Sequence, residues 1–400
     1  MHYDYLFFVA IILMSTKVLG LATKRINLPQ VVGALMAGLI LGPACLGLVE
    51  KTEFISSLSE IGVIVLMFSA GLETDIGELK KCGKASFIIA VIGVIVPLLG
   101  GFAVSALFNT GENTLTTSKF LQNIFIGIIL TATSVSITVE TLKELGKLST
   151  RAGNAILGAA LIDDILGIVA LTVVTSLANP EVEIATVLLK ILGFFVFAAL
   201  FGVLFHILFV KWTDRTTEKL HRYNVMSFAF CLLFAYIAEA FFGVADITGA
   251  FLAGILISTS TKNKYISSRI ETLSYMLLSP VFFASIGLNV TLPKMGASIV
   301  AFAGLLLVVA VLTKIVGCGL GAKICGYSTK ESLQVGIGMV SRGEVALIVA
   351  NKGAAVGLMS ANFFGPIVIM VVITTIITPI LLKIVFAEKE SSELPVAKEA

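Results

Sequence analysis

Two adjacent carboxylates, Asp163 and Asp164, lie within a long apolar run between about residues 152 and 178. A charged side chain at the centre of a bilayer costs about 2.5–3.5 kcal/mol on insertion scales, and such residues usually mark the path of an ion or a proton. A carboxylate holds either a proton or a cation at the same oxygen atoms, so the two species compete for one site. The pair therefore indicates coupled movement of a cation and a proton, and the alternative is a structural pair that neighbouring groups neutralise.

Three other apolar segments carry polar residues at a similar depth. Residues 131–134 (Thr-Ala-Thr-Ser) lie in one segment, residues 341–344 (Ser-Arg-Gly-Glu) in a second, and Lys314 in a third. We predict that ions and protons are bound by Asp164, Asp163, Thr131, Thr133 and Ser134, and that the charge partners are Lys314, Arg342 and Glu344.

Helix geometry indicates that the two adjacent carboxylates have different roles. Successive helical residues point about 100° apart, so one of the two carboxylates can face a cavity while the other faces a neighbouring helix. Residues 131–134 form a poor helix interior, and Gly343 stands between two charges, where a helix can break. A broken helix exposes carbonyl groups and half-helix dipoles to cations.

Structural roles remain open for several of these residues. The hydroxyls can serve ordinary hydrogen bonds between helices. Arg342 and Glu344 can form a structural charge pair, and Lys314 is either a structural partner of Asp163 or a group that also exchanges protons.

The composition restricts the class of protein. The chain of 400 residues is 57% hydrophobic and 13% charged, whereas soluble domains carry about 25% charged residues. Its apolar runs are about 20 residues long, which indicates an all-α polytopic membrane protein rather than a barrel of short alternating strands. Five cysteines and three histidines show no metal-binding spacing, and basic residues are spread through loops. We therefore expect no cofactor, no resident metal and no nucleic acid partner, only transported ions and the lipid bilayer.

Thirteen apolar segments are predicted to be transmembrane helices, the first of them a membrane helix rather than a cleaved signal peptide. Lysine and arginine concentrate in every second loop, so the N-terminus is predicted outside and the C-terminus in the cytoplasm. The segments cover about residues 4–23, 29–48, 55–75, 84–108, 120–143, 151–178, 183–212, 222–242, 245–260, 266–289, 296–323, 330–353 and 361–387.

The chain also repeats itself. Residues 33–40 (GALMAGLI) match residues 249–256 (GAFLAGIL), and the same offset relates residues 71–72 to residues 287–288, both Gly-Leu. Segments seven apart point in opposite directions, so this pattern predicts two inverted six-helix repeats joined by segment 7. Such repeats are typical of secondary transporters, which bind their substrate near the midplane.

Taken in order, these motifs resemble the second branch of the monovalent cation:proton antiporter superfamily. The resemblance covers nearly the whole chain and points to a bacterial sodium/proton antiporter in the inner membrane. The motifs are LPQVVG at residues 28–33, FSAGLE at 68–73, TATS at 131–134, Asp163-Asp164, Lys314 and SRGE at 341–344.

This resemblance implies a function for each part of the chain. In similar proteins the second aspartate binds the cation, here Asp164, and the first, here Asp163, pairs with the core lysine, here Lys314. Members with this Asp-Asp pair usually exchange Na+ for H+ electrogenically, and an elevator-type alternating access is expected. The resemblance implies two crossed discontinuous helices in a core domain, and a homodimer. The ranges are 1–75 and 222–289 for dimerisation, 84–178 and 296–387 for the core, 183–212 for the linking helix and 388–400 for a disordered cytoplasmic tail.

Alternative functions come from the same fold and from other classes. A K+/H+ antiporter, or one that also carries Li+, would have the same architecture. A sodium-coupled organic-anion symporter would need a larger polar cavity than small hydroxyls provide. An intramembrane aspartyl protease, the enzyme alternative, needs aspartates from separate helices, whereas Asp163 and Asp164 are neighbours on one helix. We therefore expect a transporter and not an enzyme.

Overall fold

The computed structural model describes residues 3–26, 28–109, 117–178, 184–215, 221–290, 296–355 and 357–387. Every regular element in these ranges is a helix. Among the described residues, ten helical spans are long and apolar enough to cross a membrane, three of them made of two consecutive helices, and two shorter apolar helices accompany them. The predicted all-helical, multi-pass membrane architecture is therefore confirmed, whereas the predicted tail 388–400 lies outside the described residues.

The first half of the chain forms seven helices. They are α1 (Asp4–Arg25), α2 (Gln30–Leu41), α3 (Glu53–Glu73), α4 (Ile76–Phe108), α5 (Lys119–Thr131), α6 (Val135–Glu144) and α7 (Arg151–Ala178). The second predicted segment ends earlier than expected, because Gly42 is extended and is followed by Pro43 and by Gly47 with a positive φ of 60°. Proline has no backbone N–H to continue a helix, so the chain turns there instead.

The second half begins with α8 (Ile184–Phe197) and α9 (Val203–Arg215), joined by the π-helical turn Ala198–Gly202. The remaining elements are α10 (His221–Phe242), α11 (Asp246–Ser258), α12 (Asn263–Leu273), the π-helical turn Ser274–Leu278, α13 (Ser279–Leu288), α14 (Ala297–Ile324), α15 (Thr329–Gly338), α16 (Glu344–Ala355), the short 3-10 turn Ala361–Phe363 and α17 (Phe364–Phe386). The fifth and the twelfth predicted segments are each interrupted by non-helical backbone, whereas the seventh and the tenth continue through a π-helical turn.

Helices α1–α3 and α10–α13 pack on one another and form a first helix group. Its tightest crossings use the glycines of the repeated motif. Gly38 of α2 lies against Ala284 and Gly287 of α13, and Gly254 of α11 lies against Gly71 of α3. A Cβ atom at Gly38 or Gly254 would overlap the facing backbone, so only glycine allows these helices to approach so closely.

Helices α4–α7 and α14–α17 form a second helix group, in which α4 packs against α5, α7 and α14. Another pair of glycines brings two helices together here, since a Cβ atom at Gly101 of α4 would lie 2.7 Å from the Cα atom of Gly127 in α5. The two groups meet where α6 contacts α2 and α3 and where α17 contacts α2. All of the predicted site residues belong to the second group.

Candidate functional site

Two helix breaks meet in the second group. Helix α5 ends at Thr131 and α6 begins at Val135, with extended backbone between them. Helix α15 ends at Gly338, and α16 begins only at Glu344. The backbone N–H of Ser134 in one break donates to the carbonyl oxygen of Ser341 in the other at 2.8 Å. Both predicted breaks are therefore present, and they lie in contact.

The breaks leave helix-end carbonyl groups without intrahelical partners, and Arg342 satisfies several of them. Its Nη2 donates to the carbonyl oxygens of Leu130 at 2.8 Å and of Ala310 at 3.0 Å. Its Nη1 donates to those of Met339, at 3.4 Å, and Val340. The guanidinium is fully buried, and a cation at the C-terminal ends of α5 and α15 also complements their dipoles.

The backbone of Arg342 is held by two threonines that the sequence analysis missed. Thr375 Oγ1 donates to the carbonyl oxygen of Arg342 at 2.5 Å, and the Arg342 N–H donates to Thr374 Oγ1 at 3.3 Å. Their signal in the sequence was adjacent threonines within the last apolar segment. The predicted charge pair of Arg342 with Glu344 stays a prediction, because the Glu344 side chain lies outside the described residues.

The predicted hydroxyls line the first break. Thr131 Oγ1 donates to the carbonyl oxygen of Ile128 at 2.7 Å, and Thr133 Oγ1 to that of Thr131 at 3.4 Å. The hydroxyls of Ser134 and Ser136 lie 3.3 Å apart. A hydroxyl that donates its proton still has oxygen lone pairs, so these local bonds do not prevent the same oxygens from facing a cation.

Asp163 and Lys314 form a buried ion pair between α7 and α14. Lys314 Nζ lies 3.0 Å from Asp163 Oδ1 and 3.2 Å from Oδ2, and the two side chains are 0% and 1% exposed. Ala310, whose carbonyl Arg342 binds, lies one helical turn before Lys314. The ion pair and the two breaks therefore form one polar cluster.

Asp164 has different surroundings. Its side chain is half-buried, and its Oδ2 atom is buried without a hydrogen-bond partner among the described residues. Ser341 Oγ is likewise buried without a partner there. Buried polar atoms are nearly always hydrogen-bonded, so an orphaned carboxylate oxygen is suited to a proton or a cation. Helix α7, which carries Asp164, packs against α5, α6 and α15, the helices that flank the breaks.

A cavity of about 480 Å³ lies between the two helix groups, beside α6. Apolar side chains such as Leu13, Val31 and Phe283 form part of its wall. Its charged lining residues are Lys17, Glu73, Glu140, Lys143, Glu144 and Glu271. Lys143 of α6 reaches Glu73 of α3 at 2.9 Å, so a salt bridge joins the two helix groups at the edge of this cavity.

The comparisons with known proteins agree with this architecture. Residues 9–388 match the family model described as "Sodium/hydrogen exchanger, transmembrane". The chain is 41% identical to the Na+/H+–K+ antiporter GerN of Bacillus cereus, over 98% of this chain and 99% of that protein. It is 37% identical to a Na+/H+ antiporter of Enterococcus hirae, over 95% and 97% of the two chains. The solved structure of the sodium proton antiporter MjNhaP1 from Methanocaldococcus jannaschii superposes with a TM-score of 0.65 at 18% identity, over 94% of this chain and 95% of that one.

Proposed function

Because the chain belongs to the sodium/hydrogen exchanger family, a family of transporters and not of enzymes, we propose that it exchanges cytoplasmic Na+ for external H+. The observation that carries this proposal is the contrast between two neighbouring carboxylates. Asp163 is neutralised by Lys314 at 3.0 Å, whereas Asp164 keeps a buried oxygen without a partner. Asp164 is thus the group that can hold a proton or a cation in turn.

The cation is bound by oxygen atoms around Asp164. Thr131, Thr133 and Ser134 supply hydroxyl oxygens at the first break. Hard monovalent cations prefer such oxygen ligands, and unwound backbone in a transporter core offers further carbonyls. Arg342 already donates to the helix-end carbonyls of Leu130, Met339 and Val340, so it acts as a fixed positive charge that stabilises the breaks, with Glu344 as its proposed charge partner.

We propose electrogenic exchange, in which Lys314 supplies a second proton. When Na+ binds, Asp164 loses one proton and Lys314 releases another as Asp163 turns to the cation. Two protons then cross for each Na+, and one net charge moves per cycle. A membrane potential contributes about 2.3 kcal/mol per charge per 100 mV to such a cycle. If Lys314 is purely structural, exchange is electroneutral, with one proton per cation.

Alternating access arises from movement of a core domain against a fixed scaffold. Residues 84–178 and 296–387 form the proposed core, residues 1–75 and 222–289 the dimerisation scaffold, and residues 183–212 the linking helix. The separate packing of the two helix groups supports this division. The matched crossings of α2 with α13 and of α11 with α3 support thirteen transmembrane segments in two inverted repeats. The proposed protein is a homodimer in a bacterial plasma membrane, with its N-terminus outside.

Reconstitution in proteoliposomes tests the function. Wild-type protein is expected to move protons when Na+ is added, and Asp164→Asn to show no cation-driven proton movement. Retained exchange with unchanged ion dependence in that variant would refute the assignment of Asp164. Each ion is measured with and without an imposed membrane potential, which tests electrogenicity.

K+ is the second candidate ion, because the relative at 41% identity is a Na+/H+–K+ antiporter. The same proteoliposomes decide between the ions when Na+, K+ and Li+ are added separately. Proton movement that responds to K+ at lower concentration than to Na+ would identify a K+/H+ antiporter.

A further inference from the structure

Two of the carboxylates that line the cavity beside α6, Glu140 and Glu271, have no hydrogen bond or ion pair among the described residues, and of these two only Glu140 lies on α6. Glu73 is engaged by Lys143 at 2.9 Å. Glu144 accepts the backbone N–H of Gln30, at the N-terminus of α2, at 2.9 and 2.8 Å. Among the described residues, no hydrogen bond or ion pair reaches Glu140, although its side chain lines the cavity. Of the three α6 residues in this lining, Glu140 is therefore the one whose charge is not already used in a contact between the helix groups.

Helix α6 connects Glu140 to the helix break. Ser136 lies four residues before Glu140, so the two side chains share one face of the helix and their Cβ atoms are about 5–6 Å apart. The Ser136 hydroxyl is in turn 3.3 Å from that of Ser134 in the break. Six residues of helix span about 9 Å. A carboxylate and two hydroxyls thus form a line of oxygen atoms from the cavity to the proposed cation site.

We propose that Glu140 is a second cation-binding residue of the exchanger, which binds the cation in the cavity and passes it through Ser136 to the break. This inference rests on the proposed function. With the N-terminus outside, Gln30, Glu73 and Glu144 place one side of the cavity at the cytoplasmic ends of α2, α3 and α6. Glu140 then receives the cation from the cytoplasm. The apolar side chains of Leu13, Val31 and Phe283 in the wall lower the local dielectric constant, which strengthens the attraction of a carboxylate for a cation.

Everted vesicles, whose cytoplasmic face is outward, test this role by measuring proton movement against Na+ concentration. Glu140→Gln is expected to raise the half-saturating Na+ concentration about tenfold, equal to about 1.4 kcal/mol of binding free energy. The rate at saturating Na+ should stay within about twofold of wild type, because Asp164 remains. Glu140→Asp keeps the charge and should stay within about threefold of wild type in half-saturation.

Glu144→Gln is the matched control, because it removes an equal charge from the same cavity while its remaining carbonyl oxygen can still accept the Gln30 N–H. It should change half-saturation less than about twofold. An equal effect of Glu144→Gln and Glu140→Gln would overturn the proposal, since only the general potential of the cavity would matter. A fall in maximal rate without a change in half-saturation would also overturn it. If Glu140→Gln does not fold, Ser136→Ala decides: it is expected to raise the half-saturating Na+ concentration, and unchanged half-saturation in that variant is the negative result.

The same measurements distinguish failure of the Glu140 proposal from failure of the proposed exchange activity. If wild-type vesicles show no cation-driven proton movement, the exchange activity itself is wrong. If the wild type exchanges and Asp164→Asn does not, but Glu140→Gln behaves as wild type, then only the role of Glu140 is wrong.

Discussion

Lys314 of α14 and Asp163 of α7 form an ion pair at 3.0 Å from which solvent is excluded. Breaking such a pair by removing one partner costs about 3–5 kcal/mol, because a buried charge is left uncompensated. Asp164, the next residue, has no comparable partner. Two adjacent, chemically identical side chains should therefore respond in opposite ways to the same substitution.

The first prediction compares Asp163→Asn with Asp164→Asn. Asp163→Asn leaves Lys314 uncompensated, so it should lower the melting temperature of the purified protein. Asp164→Asn removes a carboxylate with an unsatisfied oxygen and should leave the melting temperature unchanged or raised, while abolishing exchange. Thermal unfolding in detergent and transport in proteoliposomes measure the two effects. Equal destabilisation by both variants would contradict the division of roles.

The second prediction concerns Lys314. Lys314→Met should destabilise the protein by about 3–5 kcal/mol, and any surviving exchange should be electroneutral because the second proton is lost. The double variant with Asp163→Asn should recover much of the stability, since neither charge remains. The coupling between the two substitutions is obtained from a double-mutant cycle. Additive effects in that cycle, or wild-type charge movement in Lys314→Met, would count against the pair.

The third prediction is that Arg342→Lys disrupts the helix breaks. A lysine presents one compact ammonium group, whereas the guanidinium reaches the carbonyls of Leu130 and Ala310 from the same nitrogen and those of Met339 and Val340 from another. Each carbonyl left buried and unpaired costs about 1–3 kcal/mol. The variant should therefore lose stability and transport together. Wild-type melting temperature in Arg342→Lys would show that the carbonyls have other partners.

The fourth prediction is that Gly343→Ala separates the two breaks. The added Cβ atom would lie 2.6 Å from Ser134 Oγ and 2.8 Å from Ser134 Cβ. Such overlap is expected to cost about 1–3 kcal/mol and to reduce transport. The second-site change Ser134→Gly removes both facing atoms, so the double variant should be more stable than Gly343→Ala alone. A double variant no more stable than the single one would disprove the steric explanation.

The fifth prediction follows from one carboxylate serving both ions. If H+ and Na+ compete at Asp164, the half-saturating Na+ concentration should rise as pH falls, approaching about tenfold per pH unit for one competing proton. The rate at saturating Na+ should change much less. Measurements of exchange at several pH values in proteoliposomes test this relation. A half-saturating concentration independent of pH would exclude a shared site.

The sequence alone determined the membrane class, the helix positions and most of the polar cluster. Long apolar runs form helices in lipid, because the backbone N–H and C=O groups of each segment must then be hydrogen-bonded within that segment. For the same reason Asp163, Asp164 and Lys314 stood out, since charges in such runs are costly and rare. Poor helix formers at residues 131–134 indicated the first break, and Gly343, which stands between two charged residues, indicated the second.

Tertiary structure decided which groups contact one another. Spacing along one helix places Asp163 and Asp164 about 100° apart, but it does not say which of them meets Lys314, because that depends on how α7 and α14 pack. The partners of Arg342 are backbone carbonyls of two other helices and of its own break, and carbonyl groups have no signature in a sequence. The sequence did not single out Glu140, because a sequence does not show which glutamates line a shared cavity. The structure shows that Glu73 and Glu144, in the same cavity, are each held by a partner and that Glu140 is not.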